Sequence, residues 1–479
     1  MQIKTPSMVP KIYNFSYIVF LSLVAAIGGF LFGYDTAVIS GTISQVSLQF
    51  NLNALEQGWY VGCALVGSIV GVGISGALSD RFGRKKIMLV SAILFSLSAL
   101  GCAVSETITE LVIYRIIGGA GIGIVSIISP MYISEISIST FRGSLVSLYQ
   151  LAITIGFLGA FLINFQLLDF SLHTAPFESS LLNKVVIDEV WRAMLGMEFI
   201  PALVFFLVIF LIPESPRWLL ANQEEAKARI ILTKIYLSQE EAQVRIEEVY
   251  KTMKRAPRTD WKLIFQPGVI KPVWIGVAIA ILGQFMGVNA VLYYGPTIFQ
   301  QSGISDGDAL FYQVWVGLVN VITTVIALII IDRVGRKKLV YFGVTGMILS
   351  LLMIGFYYIK GEEWGISNMM LLVLFLAYIF FTAISISAVI FVLLSEMYPT
   401  KVRGLAMSLA GLSLWLGTFL IGQLTPWMLE NLTPAGTFFL FAFMCIPYMY
   451  IIWKMVPETA GKTLEAIEQY WIDTSLGKK

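Results

Sequence analysis

The sequence Asp-Arg-Phe-Gly-Arg-Lys-Lys at residues 80–86 recurs as Asp-Arg-Val-Gly-Arg-Lys-Lys at residues 332–338, so that six of the seven positions are identical. Each copy lies between two long apolar stretches, which are 61–78 and 87–104 for the first copy and 314–331 and 339–357 for the second. A chance basic cluster would not recur with the same Asp and Gly in the same surroundings. The repeat therefore predicts two copies of one membrane unit, an arrangement that places a binding site between the copies near the bilayer midplane.

The composition agrees with a membrane protein. The chain has 479 residues, of which 57% are hydrophobic and only 13% are charged, about half the charged share of an ordinary soluble domain. A transmembrane helix needs about 20 mainly apolar residues, and twelve stretches qualify, in two groups of six. They are centred near Ile27, Gly67, Phe95, Gly121, Ile155, Val204, Gln284, Ile322, Ile348, Ala383, Leu416 and Cys445. The predicted fold class is an all-α membrane protein with twelve transmembrane helices in two pseudo-symmetric halves.

A long polar stretch separates the two groups of spans and predicts short amphipathic helices. Ser238 followed three residues later by Glu241 is a capping box, which predicts that one of these helices starts there. The predicted division of the chain is an N-terminal six-helix half at 1–216, a cytoplasmic helical linker at 217–265, a C-terminal six-helix half at 266–457 and a cytoplasmic tail at 458–479.

The distribution of Lys and Arg predicts the orientation, because basic residues collect on the cytoplasmic side. The turns after spans 2, 4, 8 and 10 and the linker are basic, whereas the opposite turns at 44–56, 105–110 and 300–308 contain no Lys or Arg. The long opposite loop predicted at 166–190 contains the only histidine, His173, to which we assign no role. We expect a multi-pass protein of the plasma (inner) membrane with both termini in the cytoplasm.

A second repeat adds acidic residues to the basic turns. After span 4, Glu135 precedes Arg142 by the same interval that separates Glu396 from Arg403 after span 10. This pattern predicts a reversible ion-pair network on the cytoplasmic face that holds the halves together when the protein faces outward. The alternative is static charge that only sets the topology. The predicted network consists of Asp80, Arg81, Arg84, Glu135, Arg142, Glu214, Arg217, Asp332, Arg333, Arg336, Glu396, Arg403 and Glu458.

These motifs resemble the sugar porter family of the major facilitator superfamily, and the resemblance covers nearly the whole chain. Further family-like segments are Phe-Gly-Tyr-Asp-Thr at 32–36, Tyr-Arg at 114–115, Pro-Glu-Ser-Pro-Arg-Trp at 213–218, Gly-Val-Asn-Ala-Val-Leu-Tyr-Tyr at 287–294 and Pro-Glu-Thr at 457–459. Together these segments are specific, although none would be so alone. The resemblance implies a twelve-helix bundle that moves sugars or polyols across the lipid bilayer by alternating access, and we expect it to function as a monomer.

Ionisable residues inside the spans predict how transport is driven. Asp35 lies in apolar span 1, where an ionised carboxylate costs about 2.5–3.5 kcal/mol and therefore needs a partner or a proton. Arg115, early in span 4, is the expected partner, and protonation of Asp35 would then compete with the ion pair. Proton symporters of the family resemble this chain in having Asp here, whereas its passive facilitators typically have Asn. Glu198 in span 6 either assists proton transfer or pairs across helices.

Sugars are bound by side-chain amides and aromatic rings that converge on one site. On a straight helix Gln284 and Asn289 would point about 140° apart, but Gly283, Gly287 and the Gly-Pro pair at 295–296 offer places to bend span 7. For each candidate the alternative role is an interhelical hydrogen bond that only holds the bundle. The candidate substrate-binding residues, several of them implied by the family resemblance, are Phe32, Gln150, Gln284, Asn289, Tyr293, Asn320, Phe391 and Trp415.

Three positions depart from the family pattern. The usual Gln-Gln pair in span 7 is Gly283-Gln284, the usual Trp of span 10 is Phe391, and the amide before Trp415 is Leu414. Each change removes hydrogen-bonding capacity, and a hydroxyl left without a partner in a dry site costs about 1–3 kcal/mol. We therefore expect a more apolar C-terminal side of the site, so that glucose or xylose specificity does not carry over. A deoxy sugar, a differently shaped polyol or a larger glycoside is as compatible with this sequence as glucose or xylose.

Three functions remain open from the sequence. They are proton-coupled import of a sugar or polyol, passive facilitation on the same fold, and sugar sensing. Sensing is the least expected, because sensors of the family often carry a long cytoplasmic extension and this chain ends soon after 457–459. The sequence has no Ser/His/Asp set, metal-ligand cluster or phosphate loop, so we expect no enzymatic activity, metal, cofactor or nucleic-acid partner.

Overall fold

The structure of the protein is a computed structural model, and it describes residues 13–138, 140–255, 261–399, 402–459, 462 and 464–475. Within these residues every regular element is helical, and twelve helices are long and apolar enough to cross a membrane. The predicted fold class is therefore confirmed. Spans 1 to 6 are Phe15–Gly41, Ala54–Phe82, Arg84–Val104, Ile108–Ile136, Arg142–His173 and Trp191–Ile209. Spans 7 to 12 are Ile270–Gln300, Asp306–Ile331, Arg336–Lys360, Asn368–Met397, Arg403–Asn431 and Thr433–Lys454.

The two copies of the repeated basic turn have the same backbone. Gly83 has φ of +97° and Gly335 has φ of +94°, a region that L side chains rarely adopt and that glycine adopts without strain. Each glycine ends one helix, and the next residue, an arginine, begins the following one. The shared glycine of the repeat is thus the residue that reverses the chain between two antiparallel spans.

Spans 6, 7 and 10 are interrupted. Their pieces are Trp191–Gly196 and Phe199–Ile209; Ile270–Phe285 and Val288–Gln300; and Asn368–Thr382, the π-helical turn Ala383–Ser387 and Ala388–Met397. Span 7 breaks at Gly287, where φ is +91°. Non-helical backbone at membrane depth is tolerated where protein or a cavity surrounds it, so the interruptions indicate where the bundle builds a site.

The break in span 7 falls at one of the predicted places and not at the others. Residues 295 and 296 stay inside the helix Val288–Gln300. Pro296 lacks an N–H, and the carbonyl of Leu292, four residues earlier, therefore loses its helical partner. The side-chain amide of Gln313 on span 8 donates to that carbonyl at 3.2 Å. Because a neighbouring span supplies the missing donor, the helix continues through the proline.

The two halves meet along spans 2 and 11 and along spans 5 and 8. Close contacts between them lie at the ends opposite the repeated basic turns. The Ser44 hydroxyl donates to Oε1 of Gln300 at 2.9 Å, and Nε2 of Gln423 donates to the carbonyl of Leu55 at 2.8 Å. Gly58 lies so close to the backbone of Gln423 that a side chain there would collide with it. The halves are thus joined on the side away from the basic turns.

The linker and the tail form helices on the side of the basic turns. Their bounds are Pro216–Ala221, Glu225–Tyr236, Gln239–Arg255, the 3-10 turn Trp261–Phe265 and Leu464–Ser475. The Glu241 N–H donates to the Ser238 hydroxyl at 3.3 Å, which confirms the predicted helix start. Trp471 of the tail helix is buried and donates to the carbonyl of Met397 at 3.0 Å, so the tail helix packs against the end of span 10. The predicted division into four segments stays a prediction.

The loop predicted at 166–190 is mostly helical, and the prediction of a loop was wrong for its first part. Span 5 continues as a helix to His173, and Ile43–Phe50, Ser180–Asn183 and the π-helical Lys184–Asp188 form short helices on the same side. No Gly or Pro follows Gly159 before Pro176, and the residue before a proline is biased away from helical geometry. The helix therefore persists until shortly before that proline.

Candidate functional site

A buried ion pair lies inside the N-terminal half. Asp35 on span 1 is 0% exposed and Arg115 on span 4 is 2% exposed. Nη1 of Arg115 donates to Oδ1 of Asp35, which confirms the predicted pair. Oδ2 of Asp35 and Nε of Arg115 have no hydrogen-bond partner within the part of the chain that the structure describes. Oδ2 of Asp35 is thus able to accept a proton, and the N–H at Nε of Arg115 is able to donate to another group.

Gly118 makes room for this ion pair. A Cβ atom at Gly118 would stand 2.8 Å from Oδ2 of Asp35, which is closer than real Cβ contacts. Gly118 lies three residues after Arg115 on span 4, so it and the arginine lie on one face of that helix. Sequence reasoning missed Gly118, because a glycine inside an apolar span has no distinguishing pattern of its own.

Glu198 adds a second carboxylate to this region. It is 2% exposed and immediately precedes the second helix of span 6, near enough to Asp35 and Arg115 for charges on these groups to interact. Its Oε1 atom has no hydrogen-bond partner among the described residues. We refer to Asp35, Arg115 and Glu198 as the charge site. The two roles predicted for Glu198, proton transfer and interhelical pairing, both remain compatible with this position.

Span 7 presents two amides that converge because the helix breaks. Gly287 turns the chain between them, and Nδ2 of Asn289 donates to Oε1 of Gln284 at 2.6 Å. The hydroxyl of Thr418 on span 11 donates to the same oxygen at 3.1 Å. The predicted convergence of Gln284 and Asn289 is confirmed, and Thr418 is a member that the sequence did not indicate. We refer to Gln284, Asn289 and Thr418 as the amide site.

An aromatic contact joins the two halves between these sites. The rings of Phe32 on span 1 and Trp415 on span 11 stack with their centroids 5.7 Å apart at an angle of 28°. Phe32 precedes Asp35 by three residues, and Trp415 precedes Thr418 by three, so each ring lies about one helical turn from one of the two sites. The stack therefore connects the helix that carries Asp35 with the helix that carries Thr418.

The other predicted binding residues differ in burial. Tyr293 and Asn320 are buried, and Gln150 is partly buried on span 5. Phe391 is 49% exposed on the last helix of span 10, after the π-helical turn. That these four residues contact a ligand stays a prediction.

Gly283 has free space beside it. A Cβ atom there would have only ordinary contacts within 4 Å, with the Tyr448 ring at 3.7 Å and Cγ2 of Ile386 at 3.9 Å. Gly283 lies within the helix Ile270–Phe285, and its φ is not in the left-handed region. Neither the backbone nor the packing therefore requires glycine, and the departure leaves a small space with largely apolar walls next to Gln284.

The N-terminal half forms a charge cluster at its basic turn. The guanidinium of Arg84 donates through two nitrogens to both carboxylate oxygens of Glu135 at 3.1 Å, and the Ser215 hydroxyl donates to Glu135 at 2.5 Å. Glu214 accepts the backbone N–H of Arg84 at 2.9 Å. Burial raises the pKa of Glu214, and the backbone N–H donors of Ser215, Lys85 and Arg84 oppose part of that rise. We call Arg84, Glu135, Glu214 and Ser215 the N-cluster.

The C-terminal half repeats this arrangement residue for residue. Arg336 donates to both oxygens of Glu396, at 3.1 and 2.9 Å, and the Thr459 hydroxyl donates to Glu396 at 2.6 Å. Glu458 accepts the backbone N–H of Lys337 at 3.1 Å. We call Arg336, Glu396, Glu458 and Thr459 the C-cluster. These bonds join spans of the same half, so the predicted pairing between the halves stays a prediction.

The remaining members of the predicted network lie around the two clusters. Asp80 pairs with Arg84 at 3.2 Å, and Nη2 of Arg403 donates to the carbonyl of Tyr398 at 3.4 Å. The side chain of Asp332 lies outside the described residues. The exposed members are Arg81, Arg142, Arg217 and Arg333.

The chain is similar to known membrane transport proteins. Residues 21–471 match the family described as Sugar (and other) transporter. The chain is 36% identical to the arabinose-proton symporter of Bacillus subtilis (strain 168), with 97% of each chain covered. It is 35% identical to the D-xylose-proton symporter of Escherichia coli (strain K12), with 96% of each covered.

Its fold is that of a solved transporter. The xylose transporter XylE from E. coli, in a partially occluded inward open conformation, superimposes with a TM-score of 0.80 at 33% identity. That match covers 94% of this chain and 100% of XylE. The inward open conformation of the same protein also gives a TM-score of 0.80.

Proposed function

This chain belongs to the Sugar (and other) transporter family, and we propose that it is a secondary active transporter that imports a sugar or polyol together with a proton. The observation that carries the proposal is the buried pair of Asp35 and Arg115, whose carboxylate keeps one oxygen without a hydrogen-bond partner among the residues that the structure describes. The relatives named as arabinose-proton and D-xylose-proton symporters support the same assignment.

The charge site supplies the proton step. An ion pair is strong where the surroundings exclude water, so ionised Asp35 holds Arg115 and thereby ties span 1 to span 4. A proton on Asp35 removes that attraction and leaves the arginine charge uncompensated. Glu198 is the second buried carboxylate of the charge site, and it is the candidate to balance the arginine charge while Asp35 is protonated. Proton binding thus weakens the connection between span 1 and span 4.

The aromatic stack couples this step to the substrate. Phe32 moves with Asp35 because both lie on span 1, and it contacts Trp415 on span 11. Trp415 is one turn from the amide site, where Gln284 and Asn289 supply donors and acceptors for sugar hydroxyls. A change at Asp35 can therefore reach the amide site through the contact of Phe32 with Trp415.

The arrangement of the halves supports alternating access. The halves are joined on the side away from the basic turns, which by the distribution of Lys and Arg is the outer side, so we infer an inward-facing state. In the outward-facing state the N-cluster and the C-cluster would approach each other and hold the basic side closed. We infer a protein of the plasma membrane with both termini in the cytoplasm that works as a monomer.

Reconstitution into liposomes tests the function. With the lumen more alkaline than the medium, radiolabelled D-xylose, L-arabinose, D-glucose or a polyol should accumulate above the outside concentration, and a protonophore should abolish the excess. Uptake that stops when the inside and outside sugar concentrations are equal would indicate a passive facilitator instead of a symporter. If the protein neither takes up nor binds any sugar or polyol, the proposed substrate class is excluded.

A further inference from the structure

We propose that Thr418 is a positioning residue of the substrate site, which fixes the Gln284 side chain so that its amide nitrogen faces the ligand as a donor. The inference rests on the function proposed above, because it assumes that a sugar or polyol binds at the amide site. Thr418 is 4% exposed and lies on span 11, whereas Gln284 lies on span 7. The contact between them therefore connects two spans of the C-terminal half.

The hydrogen bonds at Gln284 decide which of its atoms meets a ligand. Its Oε1 accepts from Asn289 at 2.6 Å and from Thr418 at 3.1 Å. A carbonyl oxygen has two lone pairs, so these two bonds fill its capacity. The two N–H bonds of Nε2 take no part in this arrangement. Gln284 is consequently presented as a hydrogen-bond donor, and the ligand hydroxyl in front of it acts as an acceptor.

The Thr418 hydroxyl shares its single proton between two acceptors, Oε1 of Gln284 at 3.1 Å and the carbonyl of Leu414 at 2.9 Å. Leu414 lies one turn earlier on the helix Arg403–Asn431, and its carbonyl has a second lone pair for the backbone N–H of Thr418. Oε1 of Gln284 cannot donate, so in the contact between these two side chains the threonine must be the donor.

Gly417 allows span 11 to approach closely enough for this contact. A Cβ atom at Gly417 would stand 3.2 Å from both Cβ and Cγ of Gln284, which is tighter than most real Cβ contacts. The stem of Gln284 therefore lies against the glycine while its oxygen is held by Thr418 and Asn289. A side chain held at both stem and tip loses little freedom when a ligand binds, and such preorganisation raises affinity.

This arrangement gives the substrate site a selectivity that depends on one hydroxyl. Gly283 and Leu414 have replaced two neighbouring amides of the family pattern, so the orientation of Gln284 carries more of the discrimination on this side. The ligand hydroxyl that faces Gln284 should therefore be recognised strictly, and recognition should depend on the threonine that holds the amide.

Two matched variants separate the hydroxyl of Thr418 from its shape. Thr418→Val removes the hydroxyl and keeps the branched side chain, and Thr418→Ser keeps the hydroxyl and removes the methyl group. Binding of D-xylose, L-arabinose and D-glucose to the purified protein is measured by calorimetry, and the tightest of them is taken as the probe. Thr418→Val should raise its Kd about 5- to 30-fold, and Thr418→Ser should stay within about twofold of the wild type.

The deciding measurement uses monodeoxy analogues of the probe. The hydroxyl that faces Gln284 is the one whose removal affects the wild type but not Gln284→Ala, as in a double-mutant cycle. Thr418→Val should lose discrimination at that hydroxyl and keep it at the others, whereas Thr418→Ser should keep both. A merely structural role would weaken all analogues equally.

The outcomes distinguish this inference from the function on which it rests. An unchanged discrimination profile in Thr418→Val, a uniform loss across all analogues, or equal behaviour of Val and Ser variants would overturn the positioning role alone. If the wild-type protein binds neither any of the three sugars nor a polyol, the proposed substrate class is wrong, and the inference about Thr418, which depends on it, is wrong as well.

Discussion

The two halves are alike at the membrane surface and different inside the membrane. At the surface the N-cluster and the C-cluster repeat the same bonds, with Ser215 in one replaced by Thr459 in the other. Inside, the N-terminal half holds the charge site, whereas the C-terminal half holds the amide site and the interrupted spans 7 and 10. The repeat has thus been kept where both halves need the same turn, and it has diverged where one half holds the charge site and the other the amide site.

This division implies that coupling must cross from one half to the other. The stack of Phe32 on Trp415 is such a crossing at the level of the two sites. Variants of the charge site should therefore abolish coupling to the proton gradient and leave sugar binding unchanged. Variants of the amide site should weaken sugar binding and leave the coupling unchanged. The predictions below test that separation, from the largest expected effect to the smallest.

Asp35→Asn should abolish uphill accumulation. A pH gradient of one unit is worth about 1.4 kcal/mol, or about tenfold accumulation for one proton per sugar, and the variant should fall to a ratio of about one, because Asn cannot carry the proton. Exchange of labelled for unlabelled sugar should persist, since the amide site is untouched. Asp169→Asn, at an exposed carboxylate on the end of span 5 away from the basic turns, is the control and should accumulate normally. Accumulation by Asp35→Asn that follows the pH gradient would contradict the assignment.

Gln284→Ala and Asn289→Ala should each weaken binding without uncoupling transport. Loss of one amide contact to a hydroxyl should raise the Kd about 5- to 30-fold, measured by calorimetry with the tightest-binding sugar. At saturating sugar the accumulation ratio should remain that of the wild type. Asn431→Ala, at an exposed amide near the outer end of span 11, controls for general effects. Wild-type affinity in both amide variants would show that span 7 does not line the site.

Restoring the family residues should change which sugar is preferred. Gly283→Gln together with Phe391→Trp adds an amide and an indole N–H, and the space beside Gly283 admits the longer side chain at least as far as its Cβ atom. Preference, measured as the ratio of Kd values for hexoses and pentoses relative to a deoxy sugar, should move toward the hexoses or pentoses by a few-fold, about the effect of one hydrogen bond. An unchanged ratio would remove both positions from the selectivity determinants.

The repeated turns and the charge site were predictable because their physics is local. A glycine that recurs in both copies of a turn between two apolar stretches indicates a special backbone conformation. Gly83 and Gly335 have a positive φ, which favours glycine. A carboxylate in an apolar span needs a partner, and Arg115 was the arginine available to Asp35. In the same way the two amides of span 7 required a bend, which occurs at Gly287.

The parts that the sequence missed depend on which spans are neighbours. Thr418 is one of several hydroxyls in the spans, and only its distance from Gln284 distinguishes it. Gly118 is one glycine among many, and only its closeness to Oδ2 of Asp35 shows why a larger residue would not fit there. The helical end of span 5 was missed for a different reason, since polar residues at 166–173 were read as a loop although nothing there stops a helix.

The two surface clusters should differ in strength although their bonds are the same. The Glu135 side chain is 6% exposed and that of Glu396 is 25% exposed, and an ion pair is stronger where water is excluded from it. We expect Glu135→Gln and Glu396→Gln both to shift the population toward the inward-facing state, because each would weaken the proposed contacts between the clusters that close the basic side. The shift should be several-fold for Glu135→Gln and about twofold for Glu396→Gln, where tenfold corresponds to about 1.4 kcal/mol.

Labelling of a cysteine between the halves on the outer side measures this shift. Phe419 packs at 3.1 Å from the position of a Cβ atom on Gly62 and is partly buried, so a thiol at Phe419→Cys should be labelled faster when the outer side opens. The three native cysteines are buried, which keeps background labelling low, and Glu178→Gln in the exposed outer loop is the charge control. Slower labelling in Glu135→Gln than in Glu396→Gln would place the stronger lock in the N-cluster. Equal slowing would mean that burial does not set the strength of the lock, and unchanged labelling in both would leave these carboxylates the static role of fixing the turns.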